Sequence, residues 1–330
     1  MLWKIISLFV LTKRNGTIKL RNTIFQYSPE IGAETVDIEG IKKLCKEIEK
    51  KSGDGSIFVI GKASNLDIPR WSTGIESLDS IIGGGMPKGR VIEIFGPESS
   101  GKTSLAYWLM SLHKLGLYIP IEGTYDESRA FSMGVKKGQM IVHRAQYGEE
   151  AINDIIKFAK LGIPIICLDS VPACQPREDI EKVEKDSENE MRMGGTARLF
   201  SKTLPSIVHI CEETGTTLIL INQVRDKMNA MLFGEKDDTP GGRAIKFYSS
   251  IRIKVARKAW IEIPNKNPAI SAATEKCGIV MKVKIQKSKV SNPFGEAELP
   301  FFFDRGFVSF DDVKQIRDEI SKQRKKEFNV

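Results

Sequence analysis

One stretch of this 330-residue chain decides its fold: Gly96-Pro-Glu-Ser-Ser-Gly-Lys-Thr103. It matches the phosphate-binding loop pattern, in which Gly, four residues and Gly-Lys-Thr follow a strand and open a helix. The glycines let the backbone turn so that N–H groups point into one concavity, the lysine reaches the outer phosphates, and the threonine hydroxyl ligates Mg²⁺. The apolar run at residues 91–95 predicts a buried strand before the loop, and residues 104–115 predict a helix after it.

Composition limits the class of protein. The formal charge is +8 and the sequence pI is about 9.1, an excess that favours a polyanion partner such as nucleic acid. The five cysteines lack Cys-x-x-Cys spacing and the three histidines lie far apart, so neither a disulfide framework nor a zinc site is indicated and we expect a reducing, cytoplasmic location. No apolar run is long enough to span a membrane, and the short run at residues 1–11 lacks a good cleavage site for a secretory signal.

Strand and helix patterns alternate after the loop. This alternation predicts an α/β fold with a mostly parallel sheet flanked by helices, in which ligands bind beyond the carboxyl ends of the strands. The predicted strands are residues 116–122, 163–169, 217–223, 251–256 and 280–285, and the predicted helices are residues 149–161 and 198–214.

The chain outside this core divides into three segments. Residues 1–36 show no clear period and are interpreted as an N-terminal extension. Residues 37–70 hold a helix at 37–51, with Asp37 as its N-cap, and a strand candidate at 56–60. The apolar face of that helix would pack either on a neighbouring subunit or on the chain's own core. The core is expected at residues 71–310, and residues 311–330 predict a short, basic C-terminal helix.

Polar residues follow three of the predicted strands. Asp169 ends one of them and would hold Mg²⁺ through water beside Lys102 and Thr103. Glu122 ends another, where a carboxylate can orient a water for attack on a γ-phosphate. Gln223 ends the third, and its amide can contact the γ-phosphate and lose that contact after hydrolysis.

Two polar segments predict loops. Residues 224–243 follow Gln223 directly, carry several cations and end in Pro-Gly-Gly-Arg, so a nucleotide-sensitive amide would control a basic loop. Residues 177–195 are charged and end in Met-Arg-Met-Gly-Gly, where methionine can pack on bases while arginine meets phosphates.

Together these strings resemble the bacterial RecA recombinases from about residue 37 to residue 310. The strings that carry the resemblance are Gly96-Pro-Glu-Ser-Ser-Gly-Lys-Thr103, Leu168-Asp-Ser-Val171, Ile221-Asn-Gln-Val-Arg225, Gly241-Gly-Arg-Ala-Ile-Lys-Phe-Tyr248 and Ser72-Thr-Gly-Ile-Glu-Ser-Leu-Asp79.

The resemblance implies a RecA-type P-loop NTPase core with a small N-terminal oligomerisation helix and strand. It implies a Mg²⁺-dependent ATPase that forms a helical homo-oligomeric filament on single-stranded DNA, pairs it with double-stranded DNA, and serves recombination and repair. It makes Glu122, Lys102 and Gln223 catalytic, and Thr103 and Asp169 the metal ligands. The implied nucleotide-binding residues are Gly96, Pro97, Glu98, Ser99, Ser100, Gly101, Lys102, Thr103, Ser104, Arg129, Asp169, Lys287 and Lys289.

The same resemblance assigns the two loops to DNA. The implied DNA-binding residues are Met193, Gly194, Arg198, Arg225, Lys227, Met228, Phe233, Gly241, Gly242 and Arg243. Lys287 and Lys289 would reach the γ-phosphate of the neighbouring subunit, Lys246 and Phe247 would face that interface, and the helix at residues 37–51 would dock on the adjacent protomer.

The sequence departs from the family at several positions, so other interpretations of its function remain. Arg129 stands where the family usually stacks a tyrosine on adenine. The chain ends soon after the core, with a basic rather than an acidic end, so we expect a C-terminally shortened member that binds duplex more tightly. A filament-forming mediator that binds nucleotide and DNA with little turnover, and a RecA-core ring helicase, remain alternatives.

Overall fold

The computed structural model describes residues 7–14, 17–24, 37–52, 68–123, 125–184, 194–226, 237–264 and 274–327. The chain forms two compact units, residues 1–66 and 67–330. The domain boundaries expected at residues 36, 70 and 310 stay predictions, and the strand candidate at residues 56–60 lies outside the described residues.

The first unit contains a strand pair and a helix. Strands β1 (Ser7–Arg14) and β2 (Thr17–Ile24) are antiparallel, with Ser7 opposite Ile24. The sequence analysis predicted no strands in the N-terminal extension, so this pair adds to it. The overlooked signal is the dipeptide Asn15-Gly16 between the strands, which is typical of a two-residue hairpin connection. Helix α1 (Ile38–Ser52) begins as predicted, with Asp37 Oδ1 accepting from Gly40 N at 2.8 Å.

The second unit alternates strands and helices. Its strands are β3 (Arg70–Trp71), β4 (Met86–Pro87), β5 (Val91–Gly96), β6 (Gly116–Pro120), β7 (Met140–Val142), β8 (Ile165–Asp169), β9 (Thr217–Gln223), β10 (Arg225–Asp226), β11 (Asp237–Asp238), β12 (Ile251–Pro264), β13 (Thr274–Ser288), β14 (Glu296–Phe302) and β15 (Gly306–Phe307). Its helices are α2 (Glu76–Ile81), α3 (Lys102–Ser111), α4 (Glu127–Ser132), α5 (Gly148–Lys160), α6 (Arg177–Glu184), α7 (Gly195–Thr214), α8 (Gly242–Tyr248) and α9 (Val313–Glu327).

Among the described residues, nine strands form one sheet in the order β15-β14-β13-β12-β5-β9-β8-β6-β7. Every pairing from β12 through β5, β9, β8 and β6 to β7 is parallel, and β12 to β15 continue the sheet as antiparallel neighbours. The predicted mostly parallel α/β fold is confirmed, and the antiparallel extension adds to it.

Helices cover both faces of the sheet. Along β9, Ile219 and Ile221 belong to the apolar cluster that contains Leu105 and Leu109 of α3. The alternate residues of β9, Leu218 and Leu220, belong to the cluster formed with α5 and α7. Because successive side chains of a strand point to opposite faces, a strand buried on both sides is apolar throughout.

Several predicted boundaries shift for local reasons. The helix after the phosphate loop starts at Lys102, because Gly101 caps it in a left-handed conformation with φ of 92°. The strand predicted at residues 116–122 ends at Pro120, whose missing N–H is tolerated at a strand terminus. Helix α7 starts at Gly195 and includes Pro205. Within the described part of the chain, no helix is long and apolar enough to cross a membrane, and all five cysteines are free thiols.

A buried ion pair joins the central strands. Glu93 lies in the middle of β5 and is 0% exposed, and the parallel register sets it opposite Arg252 of β12. Arg252 Nε donates to Glu93 Oε2, and the guanidinium lies 4.6 Å from the centroid of the Phe95 ring. Since an unpaired charge in this position would be very costly, the pair fixes how β12 lies against β5.

We predict that Glu93→Gln lowers the free energy of unfolding by about 3–5 kcal/mol, because it leaves the Arg252 charge buried without its counter-ion. Urea denaturation followed by circular dichroism measures this. The matched control is Glu298→Gln, which removes the partner of Lys258 in an ion pair whose side chains are 37% and 53% exposed. That change should cost less than about 1 kcal/mol. Equal losses in the two variants would contradict the prediction.

Candidate functional site

The phosphate-binding loop leaves the sheet at the carboxyl end of β5 and runs directly into α3. Gly96 has no room for a side chain, because a Cβ there would collide with the carbonyl oxygen of Val255. Gly101 has φ of 92°, a left-handed conformation that residues with a side chain rarely adopt. Only glycine therefore allows the tight path that brings the N-terminus of α3, a favourable position for an anion, to the end of the loop.

Lys102 is the first residue of α3 and is 9% exposed. Its Nζ donates to the carbonyl oxygen of Pro97 at 2.7 Å, so the side chain folds back over the loop. Burial lowers the pKa of Lys102, while Asp169, Glu122 and Glu98 act in the opposite direction. A phosphate that replaced the Pro97 carbonyl as acceptor would supply a full counter-charge to this ammonium.

Asp169 ends β8 and accepts two hydrogen bonds on one oxygen. Thr103 Oγ1 and the Tyr118 hydroxyl each donate to Asp169 Oδ2 at 2.8 Å. Burial raises the pKa of Asp169, and the hydrogen bonds from Tyr118 and Thr103 oppose that rise. A hydroxyl and a carboxylate in contact beside a phosphate loop are oxygen ligands of the kind that Mg²⁺ prefers. Thr103 and Asp169 therefore fit the predicted metal site.

Glu122 lies two residues beyond β6, and its carboxylate meets the tip of β9. Glu122 Oε1 accepts from the Ser170 hydroxyl and from Gln223 Nε2, the latter at 3.2 Å. The structure thus brings the predicted catalytic carboxylate and the predicted nucleotide-sensing amide into direct contact. The Gln223 amide donates a hydrogen bond to the Glu122 carboxylate. A γ-phosphate that attracted the amide would therefore also change the hydrogen-bond partners of Glu122.

Two adjoining cavities open beside the loop. The first has a volume of about 560 Å³ and the second about 210 Å³. The first is lined mainly by polar residues: Ser99, Gly101, Lys102, Thr103, Ser104, Tyr107, Gly123, Tyr125, Asp126, Arg129 and Arg144. The second shares Ser99, Gly101 and Arg129 and adds the apolar and aromatic side chains of Trp260, Ile279, Phe301 and Phe303. Polar and aromatic compartments side by side suit a nucleotide, whose phosphates and base differ in the same way.

Arg129 borders both cavities. It lies in the first turn of α4, whose start is capped by Asp126 Oδ1 accepting from Ser128 N at 2.9 Å. Arg129 Nη2 donates to Ser104 Oγ at 2.8 Å. The predicted nucleotide-binding residue therefore lies between the phosphate loop and the aromatic compartment, where its planar guanidinium can meet a base.

Lys287 and Lys289 lie beside α8. Lys287 Nζ donates to the carbonyl oxygens of Lys246, at 2.5 Å, and Phe247, at 2.8 Å. Burial lowers the pKa of Lys287 to about 8, with smaller contributions from Lys289 and Arg252 and an opposing one from Glu93. Lys289 Nζ lies 5.2 Å from the centroid of the Phe247 ring, which is 66% exposed. Neither lysine lines the two cavities.

The first predicted DNA loop requires a correction. Residues 177–184 form α6, stabilised by an ion pair between Arg177 Nε and Glu181 Oε1 at 2.6 Å, one helical turn apart. Charged residues suit a solvated helix as well as a loop, so their abundance misled the sequence analysis. Met193 lies outside the described residues; Gly194 is exposed and caps α7 with φ of 95°, and Arg198 is exposed on that helix.

The second predicted loop is closed at its base by β10 and β11, with Arg225 opposite Asp238. Lys227, Met228 and Phe233 lie outside the described residues. The loop ends earlier than predicted, since α8 starts at Gly242 after a cap at Gly241 with φ of 87°, and Arg243 lies inside that helix. A Cβ on Gly242 would lie 2.9 Å from Ala197 Cβ, so the first turns of α7 and α8 touch and the exits of both loops adjoin.

Sequence reasoning missed two groups at the centre of this site. Tyr118 is 1% exposed inside β6, and only the hydroxyl among apolar neighbours hinted that it needs a partner. Ser170 is 1% exposed and follows Asp169 directly, but serine after a strand usually indicates a turn. The hydrogen-bond partners of Tyr118 and Ser170 depend on the register between neighbouring strands, which cannot be read from the sequence alone.

Comparison with known proteins adds independent evidence. The family model described as the RecA N-terminal domain matches residues 39–308. The chain is 38% identical over 283 residues to Protein RecA of Deinococcus radiodurans, covering 83% of this chain and 74% of that protein. It is 36% identical over 274 residues to Protein RecA of Thermus aquaticus, covering 81% and 77%, and 36% identical over 282 residues to Protein RecA of Mycoplasmopsis pulmonis, covering 84% and 79%.

We predict that Tyr118→Phe lowers the free energy of unfolding by about 1–3 kcal/mol, because the buried Asp169 carboxylate loses a donor while the ring packing is kept. Urea denaturation at neutral pH tests this. Tyr125→Phe is the control, since the Tyr125 ring lies 6.0 Å from that of Tyr118 in a more exposed position. A loss no larger than that of the control would show that the bond to Asp169 contributes nothing.

Proposed function

The chain belongs to the RecA family, and we propose that it is an ATP-dependent recombination and DNA-repair protein that forms a filament on single-stranded DNA and exchanges strands with homologous duplex. The observation that carries the proposal is the bond between Gln223 and Glu122. It joins the proposed hydrolytic carboxylate to the residue from which the second basic segment departs, so nucleotide state and DNA binding would share one contact.

ATP binding would use the two compartments beside the phosphate loop. The triphosphate would lie in the polar cavity, where Lys102 exchanges the Pro97 carbonyl for a phosphate oxygen and the N-terminus of α3 adds its positive end. The base would lie toward Trp260 and Phe303, with Arg129 at the boundary. Thr103 and Asp169 would hold Mg²⁺, which neutralises charge on the phosphates when bound.

Hydrolysis would begin when Gln223 leaves Glu122. An amide donor aimed at a γ-phosphate oxygen frees Glu122 Oε1 from one of its two donors, and the carboxylate can then orient a water and accept its proton. Ser170 keeps the carboxylate in place during this change. After hydrolysis the amide returns to Glu122, and the segment beyond Gln223 loses its support.

Assembly would complete the active site. We propose that Lys287 and Lys289 reach the γ-phosphate of the neighbouring protomer, because they stand apart from the cavities of their own chain beside the exposed Phe247 ring. The exposed apolar side chains Ile41 and Leu44 of α1 would dock on another protomer.

DNA binding would use the ends of both loops. Gly194 caps α7 and Gly242 starts α8, and the first turns of these helices touch, so backbone N–H groups, Arg198 and Arg243 gather in one region. Met193, Arg225, Lys227, Met228, Phe233 and Gly241 are the remaining proposed DNA contacts. Such contacts bind phosphates and stacked bases without reading sequence, and their affinity falls steeply with salt.

A filament mediator with little turnover is the second candidate. It is favoured by the two hydrogen bonds that occupy Glu122 and by Arg129 bordering the base compartment. The ring-helicase alternative has no comparable observation in its favour, and it would differ by unwinding duplex from a closed hexamer.

We predict that single-stranded DNA raises the rate of ATP hydrolysis, and that Lys102→Ala lowers the DNA-stimulated rate at least about a hundredfold by removing the charge that stabilises the transferring phosphoryl group. Phosphate release measured with and without oligonucleotide tests this. The control is Lys114→Ala, an exposed lysine just past the C-terminus of α3. A basal rate that DNA does not raise would favour the mediator, and unwinding by a hexamer would favour the helicase.

A second prediction concerns pH. Lys287 has a pKa of about 8 in the free protomer, below the ordinary 10.5, so it loses its proton as pH rises through 8. A neighbouring γ-phosphate would favour the charged form, so triphosphate-dependent assembly takes up a proton above pH 8 and weakens by up to about tenfold per pH unit. Lys287→Arg keeps the charge and should flatten this dependence.

Sedimentation with a non-hydrolysable triphosphate at several pH values measures the assembly midpoint. Lys284→Arg, on the same strand and paired with Glu296 at 2.8 Å, is the matched control and should retain the wild-type pH profile. A wild-type midpoint that is the same at neutral and alkaline pH would exclude Lys287 from the contact.

A further inference from the structure

A cluster of polar side chains is buried on three neighbouring strands of the sheet, β12, β5 and β9. Glu93 of β5 and Asn222 of β9 are both 0% exposed, Arg252 of β12 is 8% exposed, and Thr239 is 6% exposed. Thr239 and Pro240 form the last stretch of the second basic segment before α8. Polar groups so deeply buried persist only where they satisfy one another.

Asn222 makes three hydrogen bonds in this cluster. Its Nδ2 donates to Glu93 Oε1 and to the Pro240 carbonyl oxygen, both at 2.9 Å, and its Oδ1 accepts from the backbone N–H of Gln223 at 3.0 Å. The orientation of the amide is dictated by chemistry. A carboxylate and a carbonyl can only accept, and a backbone N–H can only donate, so the reverse orientation would face donor to donor and acceptor to acceptor.

These bonds connect two parts of the site that are seventeen positions apart in sequence. On one side is Gln223, whose side-chain amide contacts Glu122. On the other side is Pro240, after which Gly241 caps α8. The third partner, Glu93, is held in position by its ion pair with Arg252. A displacement of the Gln223 backbone must therefore either break its bond to Asn222 or carry the amide, and Pro240 with it.

We propose that Asn222 is a positioning residue that transmits the nucleotide-dependent movement of Gln223 to the exit of the second DNA-binding segment. The inference deepens the proposed function and rests on it. Asn222 is 0% exposed and lines neither cavity beside the phosphate loop. In this role it fixes Pro240 relative to Gln223, so that the exit of the segment follows the state of the active site.

The expected size of the effect on coupling follows from the hydrogen bonds that the Asn222 amide makes. Removing the amide leaves Glu93 Oε1, the Pro240 carbonyl and the Gln223 N–H without this shared partner in a site that excludes water. Coupling between two binding sites usually amounts to a factor of about 5–150 in affinity, so the loss of one connecting group should be readily measurable.

The test compares single-stranded DNA affinity in the presence and absence of a non-hydrolysable ATP analogue. For the wild type, the analogue should tighten DNA binding. For Asn222→Ala, most of this gain should be lost, so that the ratio of the two DNA affinities approaches one, while affinity for the analogue itself changes by less than about threefold, because the phosphate contacts remain. Fluorescence anisotropy of a labelled oligonucleotide and of a labelled analogue gives both quantities on the full chain.

The matched control is Thr217→Val, at the other end of the same strand. Thr217 is 0% exposed and its hydroxyl donates to the Pro87 carbonyl oxygen at 3.3 Å, so this variant also loses a buried hydrogen bond. It should lower stability and leave the DNA gain unchanged, which separates positioning from general destabilisation. An unaltered gain in folded Asn222→Ala, or an equal loss in Thr217→Val, would overturn the proposal.

A second measurement applies if Asn222→Ala does not fold. In the wild type without DNA, adding the analogue should change deuterium uptake in the peptide that covers residues 239–244 together with the peptide that ends β9. A change confined to the end of β9 would overturn the inference. Failure of the proposed function is distinguishable, since the wild type itself would then show no nucleotide-dependent gain in DNA affinity.

Discussion

The parallel register of β5 with β9 is the constraint on which the rest of this structure depends. It sets Phe95 beside Asn222 and Gly96 beside Gln223, so the phosphate loop and the Gln223 amide begin at the same edge of the sheet. The register of β6 with β8 sets Pro120 beside Asp169, and Glu122 follows two residues later. A shift of β5 by one residue would also turn Glu93 away from Arg252 of β12 and leave two charges buried without a partner.

The functional groups of the site satisfy one another. Lys102 bonds to Pro97, Thr103 to Asp169, Gln223 to Glu122 and Arg129 to Ser104. Each pair consists of a donor and an acceptor that a triphosphate with its metal ion could replace. The side chains are thus held in place by bonds that can be exchanged, which would limit the reorganisation required for the proposed binding of ATP.

Much of this arrangement could be predicted from the sequence, because the phosphate-loop motif and the apolar strands are local signals. The loop, Asp169, Glu122 and Gln223 all follow from short stretches whose pattern indicates a buried strand and a polar residue at or near its end, although β6 ends two residues earlier than predicted. The contacts of Tyr118, Ser170 and Asn222 could not be predicted, since they depend on neighbours brought in by strand order rather than by sequence proximity.

The antiparallel half of the sheet was underestimated for a different reason. Strand β12 continues to Pro264 through Arg257, Lys258 and Trp260, a stretch that reads as the end of a strand because it carries charges. The charges are accommodated by contacts across the surface: Arg257 and Lys276 both stack on Trp260, within 4.1 and 4.2 Å of its ring centroid. Arg257 lies on the same strand as Trp260, whereas Lys276 reaches it from β13, and neither contact leaves a periodic pattern in the sequence.

Helix α8 is fastened at both ends. Its start follows Pro240, whose carbonyl is held by Asn222, and its final carbonyls are held by Lys287. Its seven residues span only about 10 Å, so the helix moves as one rigid unit rather than bending. If Lys287 exchanges these carbonyls for the adjacent protomer's triphosphate, as proposed, the hold on the C-terminal end of α8 would change whenever two subunits join. The rigid helix would then connect each subunit's own Gln223 and Asn222 to the nucleotide of its neighbour.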